Sequence, residues 1–158
     1  MNNSDVTKAQ KLSYMLLRIL GSGIFLLAGS SHLMNTAGTA ARLEAAPFGY
    51  FATALASAEL LVMLSGIALL GGGLLLLIGY QTRYAAFLLT VVLVPITLTV
   101  QISPDSLGPL FKNIAIMGIL IFFILNGALA YSLDTYMQKK KGLERRKSSA
   151  QTGPGLSR

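Results

Sequence analysis

The chain has no cysteine, no tryptophan and one histidine, and only 12% of its 158 residues are charged. Without cysteine it can form no disulfide, Cys-ligated metal site, iron–sulfur cluster or thiol nucleophile of its own, although that absence does not fix the redox compartment. One histidine excludes a haem held by two histidines of this chain. Zinc sites gather several Cys or His ligands, and none can be assembled here. There is no P-loop, and the one glycine run, Gly71–Gly73, lies in an apolar helical stretch, where it reads as a packing or kink feature. A serine–histidine–acid arrangement would need His32 beside Glu59 and Ser30 or Ser31, and no nucleophile elbow or oxyanion geometry accompanies them. No catalytic residue, metal site or intrinsic cofactor is therefore assigned.

What is present is apolar: 53% of the residues are hydrophobic. A soluble domain carries about 25% charged residues, so the deficit points to a lipid-facing surface. Crossing a hydrocarbon layer of ~30 Å takes about 20 mostly apolar residues. Four segments qualify, at about 12–33, 55–80, 84–102 and 109–133, the second within a run that opens near Phe51. Arg18 inside the first segment, and its length, argue for a retained helix over a cleaved signal peptide. The expected fold is an all-α membrane protein, a four-transmembrane-helix bundle with a short interfacial helix between helices 1 and 2. In that connection a threonine would cap the short helix and Pro47 would stop it. The expected divisions are an N-terminal segment 1–11, the membrane domain 12–134 and a basic tail 135–158, disordered from about Lys147. "SPDSLGP" reads as a turn-rich loop, and Pro95 should kink the third span and free a carbonyl near Val91, which nearby threonines would take up.

Of the 13 basic residues, only Arg42 and Lys112 fall on the side opposite the chain ends. By the excess of Lys and Arg on cytoplasmic segments, both termini are expected in the cytoplasm of a multi-pass protein of a bacterial cell membrane. Lys139, Lys140, Lys141, Arg145, Arg146, Lys147 and Arg158 crowd the tail. Beside apolar spans, their expected partner is anionic lipid headgroups, at roughly 1 kcal/mol per residue, rather than nucleic acid.

The few polar residues inside the spans recur at two heights. Counted at 1.5 Å per residue from the tail-side helix ends, His32, Glu59, Gln101 and Lys112 fall at one outer level, with Asn113, Ser30, Ser31, Thr97 and Thr99 close by. An ion pair between Glu59 and Lys112 would compensate both charges, since ionisable groups in spans usually face the bundle and pair. Snorkelling of Lys112 or protonation of Glu59 are the bland alternatives. At the inner level, Asp134 between Arg18 and Arg83 would tie three helices together. Two inward stripes are expected, Arg18, Gly21, Phe25, Gly29, His32 on the first helix and Glu59, Met63, Gly66, Leu70, Gly73 on the second. Their small residues permit close helix approach.

The stretches "LLRILGSGIFLLAGSSHL", "AELLVMLSGIALLGGGLLLLIGYQTRYAAFLL" and "FKNIAIMGILIFFILNGALAYSLD" resemble the DoxX family of small four-helix membrane proteins. The likeness covers roughly Leu12–Asp134. Its most specific features are Arg18 with Gly21, Glu59 with Gly66, the turn Gly79–Ala86, Asn113 and the closing Ser132–Asp134. The family takes its name from a membrane subunit of a quinone-linked enzyme of sulfur oxidation. The resemblance implies a non-catalytic accessory subunit of a membrane complex, near quinone and among other membrane-protein subunits and lipids. The alternative is a small-molecule binding or transport protein whose outer polar cluster takes a quinone or other polar headgroup.

Overall fold

In an apolar chain with few ionic partners, backbone hydrogen bonds must be satisfied within each segment, and every regular element is helical among the described residues. These are 8–101 and 107–151 of a computed structural model. In chain order they are α1 (Lys8–Met34), α2 (Thr36–Glu44), α3 (Gly49–Thr53), α4 (Ala58–Ile78), α5 (Thr82–Val100), α6 (Leu107–Asn126) and α7 (Leu133–Gln151). α1, α4, α5 and α6 are long and apolar enough to cross a membrane. Their outward side chains are large and apolar: Leu20, Leu27, Phe87 and Leu125 are each at least 60% exposed. That surface suits acyl chains and would be a liability in water.

The bundle is organised by the antiparallel seam of α1 and α4. A Cβ added at Gly29 would lie 2.8 Å from the Leu70 backbone nitrogen and 2.9 Å from the Gly66 carbonyl oxygen, so the backbones meet there. Gly66 receives Leu33, and Gly73 receives Phe25 and Leu26. Gly72, on the other flank of α4, admits Leu89 of α5. Gly71 faces nothing within 4 Å, so only two of the three consecutive glycines pack. Phe25, Leu69, Leu76, Leu89, Leu120 and Phe123 fill the centre. The buried stripe of α4 runs Ala58, Val62, Gly66, Leu69, Gly73, Leu76. The expected Glu59 and Met63 positions are exposed.

The connection between the first two spans folds into two short helices. Asn35 caps α2, its Oδ1 accepting the Gly38 N–H at 3.1 Å, so the cap is an asparagine where a threonine was expected. α2 ends at Glu44, three residues before Pro47. Ala40 and Leu43 of α2 pack on Ala58 and Val62, laying α2 over the end of α4.

Three expectations about the later spans need correction. Thr90, Thr97 and Thr99 hydroxyls donate to the carbonyls of Ala86, Leu93 and Pro95, each one turn back, and none reaches Val91. The fourth span stops at Asn126, seven residues short of the expected 133, because Gly127 takes φ +67° and turns the chain out of the helix. A separate α7 follows and stays helical through Gln151, past the expected onset of disorder at Lys147. Positions 152–158, and 103–106 of the "SPDSLGP" loop, lie outside the described residues. α6 begins at Leu107, with Pro109 in its first turn, where a missing N–H costs nothing.

Gly29→Ala should destabilise the fold by about 1–3 kcal/mol, the usual cost of overpacking, because the obstructing atoms are backbone. Gly118, with nothing within 4 Å of an added Cβ, should accept alanine with no loss. Denaturant titration of the detergent-solubilised protein measures both.

Candidate functional site

The two polar levels are built differently. On the side of the chain ends, α4 closes at Gly79, which takes φ +74°. Tyr80 N–H bonds the Leu75 carbonyl at 3.0 Å and Gly79 N–H bonds that of Leu76 at 3.1 Å, the paired bonds of a Schellman turn. A Cβ at Gly79 would sit 2.5 Å from both Arg18 Nη1 and Ser132 Cβ, so the turn lies directly under the Arg18 guanidinium. Arg18 is buried and donates to two carbonyls of the α6–α7 connection, Tyr131 at 2.7 Å and Ala130 at 3.4 Å. Asp134 closes the other half. Its Oδ1 accepts the Gln81 N–H at 2.7 Å, and its Oδ2 accepts the Thr82 N–H at 2.9 Å and the Thr82 hydroxyl at 3.0 Å. Its own N–H donates to the Gly79 carbonyl at 2.9 Å.

The sequence places Asp134 between two arginines; the structure gives its oxygens to the N-terminus of α5. Arg18 and Asp134 do flank the same turn. Arg83 is exposed and lies beside Gly127, and no ion pair joins it to Asp134 among the described residues. Backbone conformation explains the arrangement. Gln81 (φ 45°) and Tyr131 (φ 47°) are the non-glycine residues with positive φ among those described, a conformation that costs an L-residue roughly 1–2 kcal/mol. Asp134 holds the first by its N–H and Arg18 holds the second by its carbonyl. A crevice of about 600 Å³ beside this turn is lined by Arg83, Asn126, Asp134 and Gln138, but its carboxylate is already fully engaged.

On the opposite side the polar groups surround open volume. His32 of α1 bonds Ser65 of α4, Nδ1 to Oγ at 2.9 Å. The Ser65 hydroxyl hydrogen is committed to the Val62 carbonyl at 2.8 Å, so Nδ1 carries the donated proton and Nε2 of the neutral ring is left as an acceptor. Across the bundle, buried Asn113 donates from Nδ2 to Thr97 Oγ1 at 2.9 Å, and Thr97 donates on to Leu93 O at 2.7 Å. Two cavities flank these pairs. The larger, about 520 Å³, lies between α4, α5 and α2 and is lined by His32, Arg42, Ser65, Thr99, Gln101 and an apolar wall that includes Leu61, Val92 and Ile96. The smaller, about 250 Å³, reaches Lys112 and Asn113. His32, Thr39, Arg42, Ile96 and Gln101 line both, so the two cavities adjoin across these residues and are taken together as one cleft. Among the described residues Gln101 Oε1 is buried there without a hydrogen-bond partner, an acceptor whose desolvation they leave uncompensated.

The comparison with protein families decides the assignment: the family model described as DoxX matches residues 13–102. The chain belongs to the DoxX family. No curated protein and no solved structure matches it. The match spans α1 to α5, and with them Arg18, His32, Arg42, Ser65, Gly79 and Gln101; Lys112, Asn113 and Asp134 lie beyond it.

In this DoxX protein His32, Gln101 and Lys112, expected at the outer level, and Asn113, expected beside it, line the cleft. Glu59 does not, and no ion pair joins it to Lys112; both are exposed. The seam gives the reason. Gly66 already lies level with the end of α1, and Glu59 is seven residues, about 10 Å at 1.5 Å per residue, further out. Counting helix ends from a common plane assumed that α1 and α4 enter together, whereas Arg18, not Leu12, is level with Gly79. Ser65 takes the place level with His32 at which Glu59 was expected. Arg42 was missed because it sits in the connection, and only the docking of α2 on α4 brings it over the bundle.

Asp134→Ala should cost about 1–2 kcal/mol of stability, as lost helix caps do. Adding Gln81→Gly should recover about 1 kcal/mol of it, since glycine adopts positive φ without the L-residue penalty. Thermal unfolding of the three proteins in one detergent checks the sign and the order.

Proposed function

We propose that this DoxX-family protein is an accessory membrane subunit that holds a small amphipathic molecule in the cleft opposite its chain ends. The observation that carries this reading is the cleft itself. A cavity of about 520 Å³ falls within the ~300–1,000 Å³ of small-molecule sites, which combine apolar walls with a few convergent polar groups. Here the polar groups are of both kinds. Arg42 and Lys112 are donors; Gln101 Oε1 and His32 Nε2 are acceptors. A quinone headgroup suits that mixture. Its carbonyl oxygens accept from the cationic groups, the hydroxyls of its reduced form donate to the acceptors, and its apolar tail lies along Leu61, Leu64 and Ile96. The chain has one histidine and no cysteine, so in a redox assembly a partner subunit would carry the electron-transferring centre. Both chain ends are assigned to the cytoplasm of a bacterial cell, supported by the crowding of basic residues on their side. The cleft then opens toward the outer surface.

Equilibrium binding of a short-chain quinone to the purified protein in nanodiscs tests the reading. Arg42→Gln and His32→Ala should each weaken binding about tenfold, the effect of losing a hydrogen bond of about 1.5 kcal/mol to a polar group. Glu59→Gln, outside the cleft, should leave it unchanged. Equal affinity in all four proteins would remove the cleft as the site.

A further inference from the structure

We propose that α7 is a membrane-surface helix, which lays the face bearing Tyr136 and Leu143 on a leaflet rich in anionic headgroups at the side of the chain ends. The spacing is the first ground. Tyr136 is followed at +3 and +4 by Lys139 and Lys140, and Leu143 at +3 and +4 by Arg146 and Lys147. At 3.6 residues per turn, Tyr136 and Leu143 are only about 20° apart, and Lys139 and Lys140 fall about 60° and 40° to either side of Tyr136. This is one narrow apolar ridge between two basic rows. Tyr136 is 66% exposed and Leu143 53%, and Lys139, Lys140 and Arg146 are exposed as well.

The second ground is that the protein itself does not cover this face. Of the side chains described in α7, which run through Arg146, none is buried, and α7 is not among the helices that pack extensively on one another. Most helical stability in proteins comes from packing one face rather than from propensity, so a surface that accepts the ridge of α7 stabilises it. The third ground is position. The break at 127–132 uncouples α7 from the axis of α6. The bonds from Asp134 to Gly79, Gln81 and Thr82 pin its first turn to the α4–α5 turn, which is where two spans leave the membrane. Tyr136, two residues on, therefore starts at the interface, the depth that tyrosine favours. From there the flanking Lys and Arg stems can lie along the acyl boundary with their charges among the phosphates. The occupant is a lipid surface, since ridge and basic rows together match a plane that is apolar below and anionic above.

The absence of cysteine makes the test clean. Full-length protein carrying Leu143→Cys, labelled with an apolar environment-sensitive fluorophore, is placed in discs of phosphatidylcholine alone or with one third phosphatidylglycerol. The same label at Gln138→Cys reports the opposite face. In the anionic discs the label at 143 should shift to the blue and be quenched by a lipid with a quencher near its headgroup, while that at 138 stays aqueous. Lys139→Gln, Lys140→Gln and Arg146→Gln together should lower the docked-to-free ratio about a hundredfold, roughly fivefold for each charge, and return the signal at 143 to its value in phosphatidylcholine. A label at 143 that is equally aqueous in both discs would overturn the proposal. So would equal quenching at 138 and 143, which would mean attraction by charge without a face, and so would indifference to the triple substitution.

Discussion

The contact of α1 and α4 through Gly29, Gly66 and Gly73 is the constraint on which the other features depend. In lipid, apolar side chains gain little by leaving one hydrocarbon for another, so helix association rests on close packing. Packing is closest where glycine lets backbones touch. Here Gly29 meets backbone atoms of Leu70 and Gly66, which leaves almost no freedom to slide one helix along the other. A slip of one turn would set Cβ atoms against backbone. The register that results puts His32 opposite Ser65 and Arg18 opposite Gly79, and those two pairings define the two polar levels.

The levels answer the same problem, polar groups in an apolar bundle, in opposite ways. Around Gly79 the polar groups are spent mostly on backbone, with Arg18 Nε buried and unpartnered among the described residues. Arg18 takes two carbonyls and Asp134 three donors, and two backbone positions that would otherwise relax are held in the left-handed region. The effect of that network is to lock the α6–α7 connection onto the α4–α5 turn. Around His32 the groups are engaged only on one side. His32 is oriented by Ser65, Asn113 by Thr97, and Gln101 Oε1 has no partner among the described residues. What sets this level apart is volume: a few convergent polar groups around an apolar cavity are the usual form of a binding site.

Hydrophobic length and local turn signals were enough to read four crossings, a short helix between the first two and the tight α4–α5 turn, because each depends on a run of residues near one another in sequence. Relative height was not readable in the same way. It depends on where two helices touch, and a plane drawn through apparent span ends put Glu59 level with His32 when the glycine contacts put Ser65 there. The signal was present in Gly29 and Gly66, which were read as permitting approach without being used to set register. The end of α6 was hidden for a different reason. Residues 127–133 are apolar enough to continue a span, and only Gly127, with the carbonyl demand of a buried arginine 112 residues earlier, turns them out. Arg42 belongs to neither case: its place follows from Ala40 and Leu43 docking on Ala58 and Val62, a tertiary contact between short elements of weak pattern.

That same docking explains how a carboxylate is tolerated in the apolar stretch "ALASAELLVMLSGIALL". Glu59 needs no cationic partner, because it is not at bundle depth. It is exposed in the first turn of α4, directly after Ala58, where unpaired backbone N–H groups and the positive end of the helix dipole favour a negative charge by roughly 0.3–1 kcal/mol. Ala58 and Val62, on the adjoining face, take the contact with α2 and keep the carboxylate turned away from it. The acid therefore marks where α4 begins, and the first polar group that the bundle encloses on that helix is Ser65, nearly two turns further in.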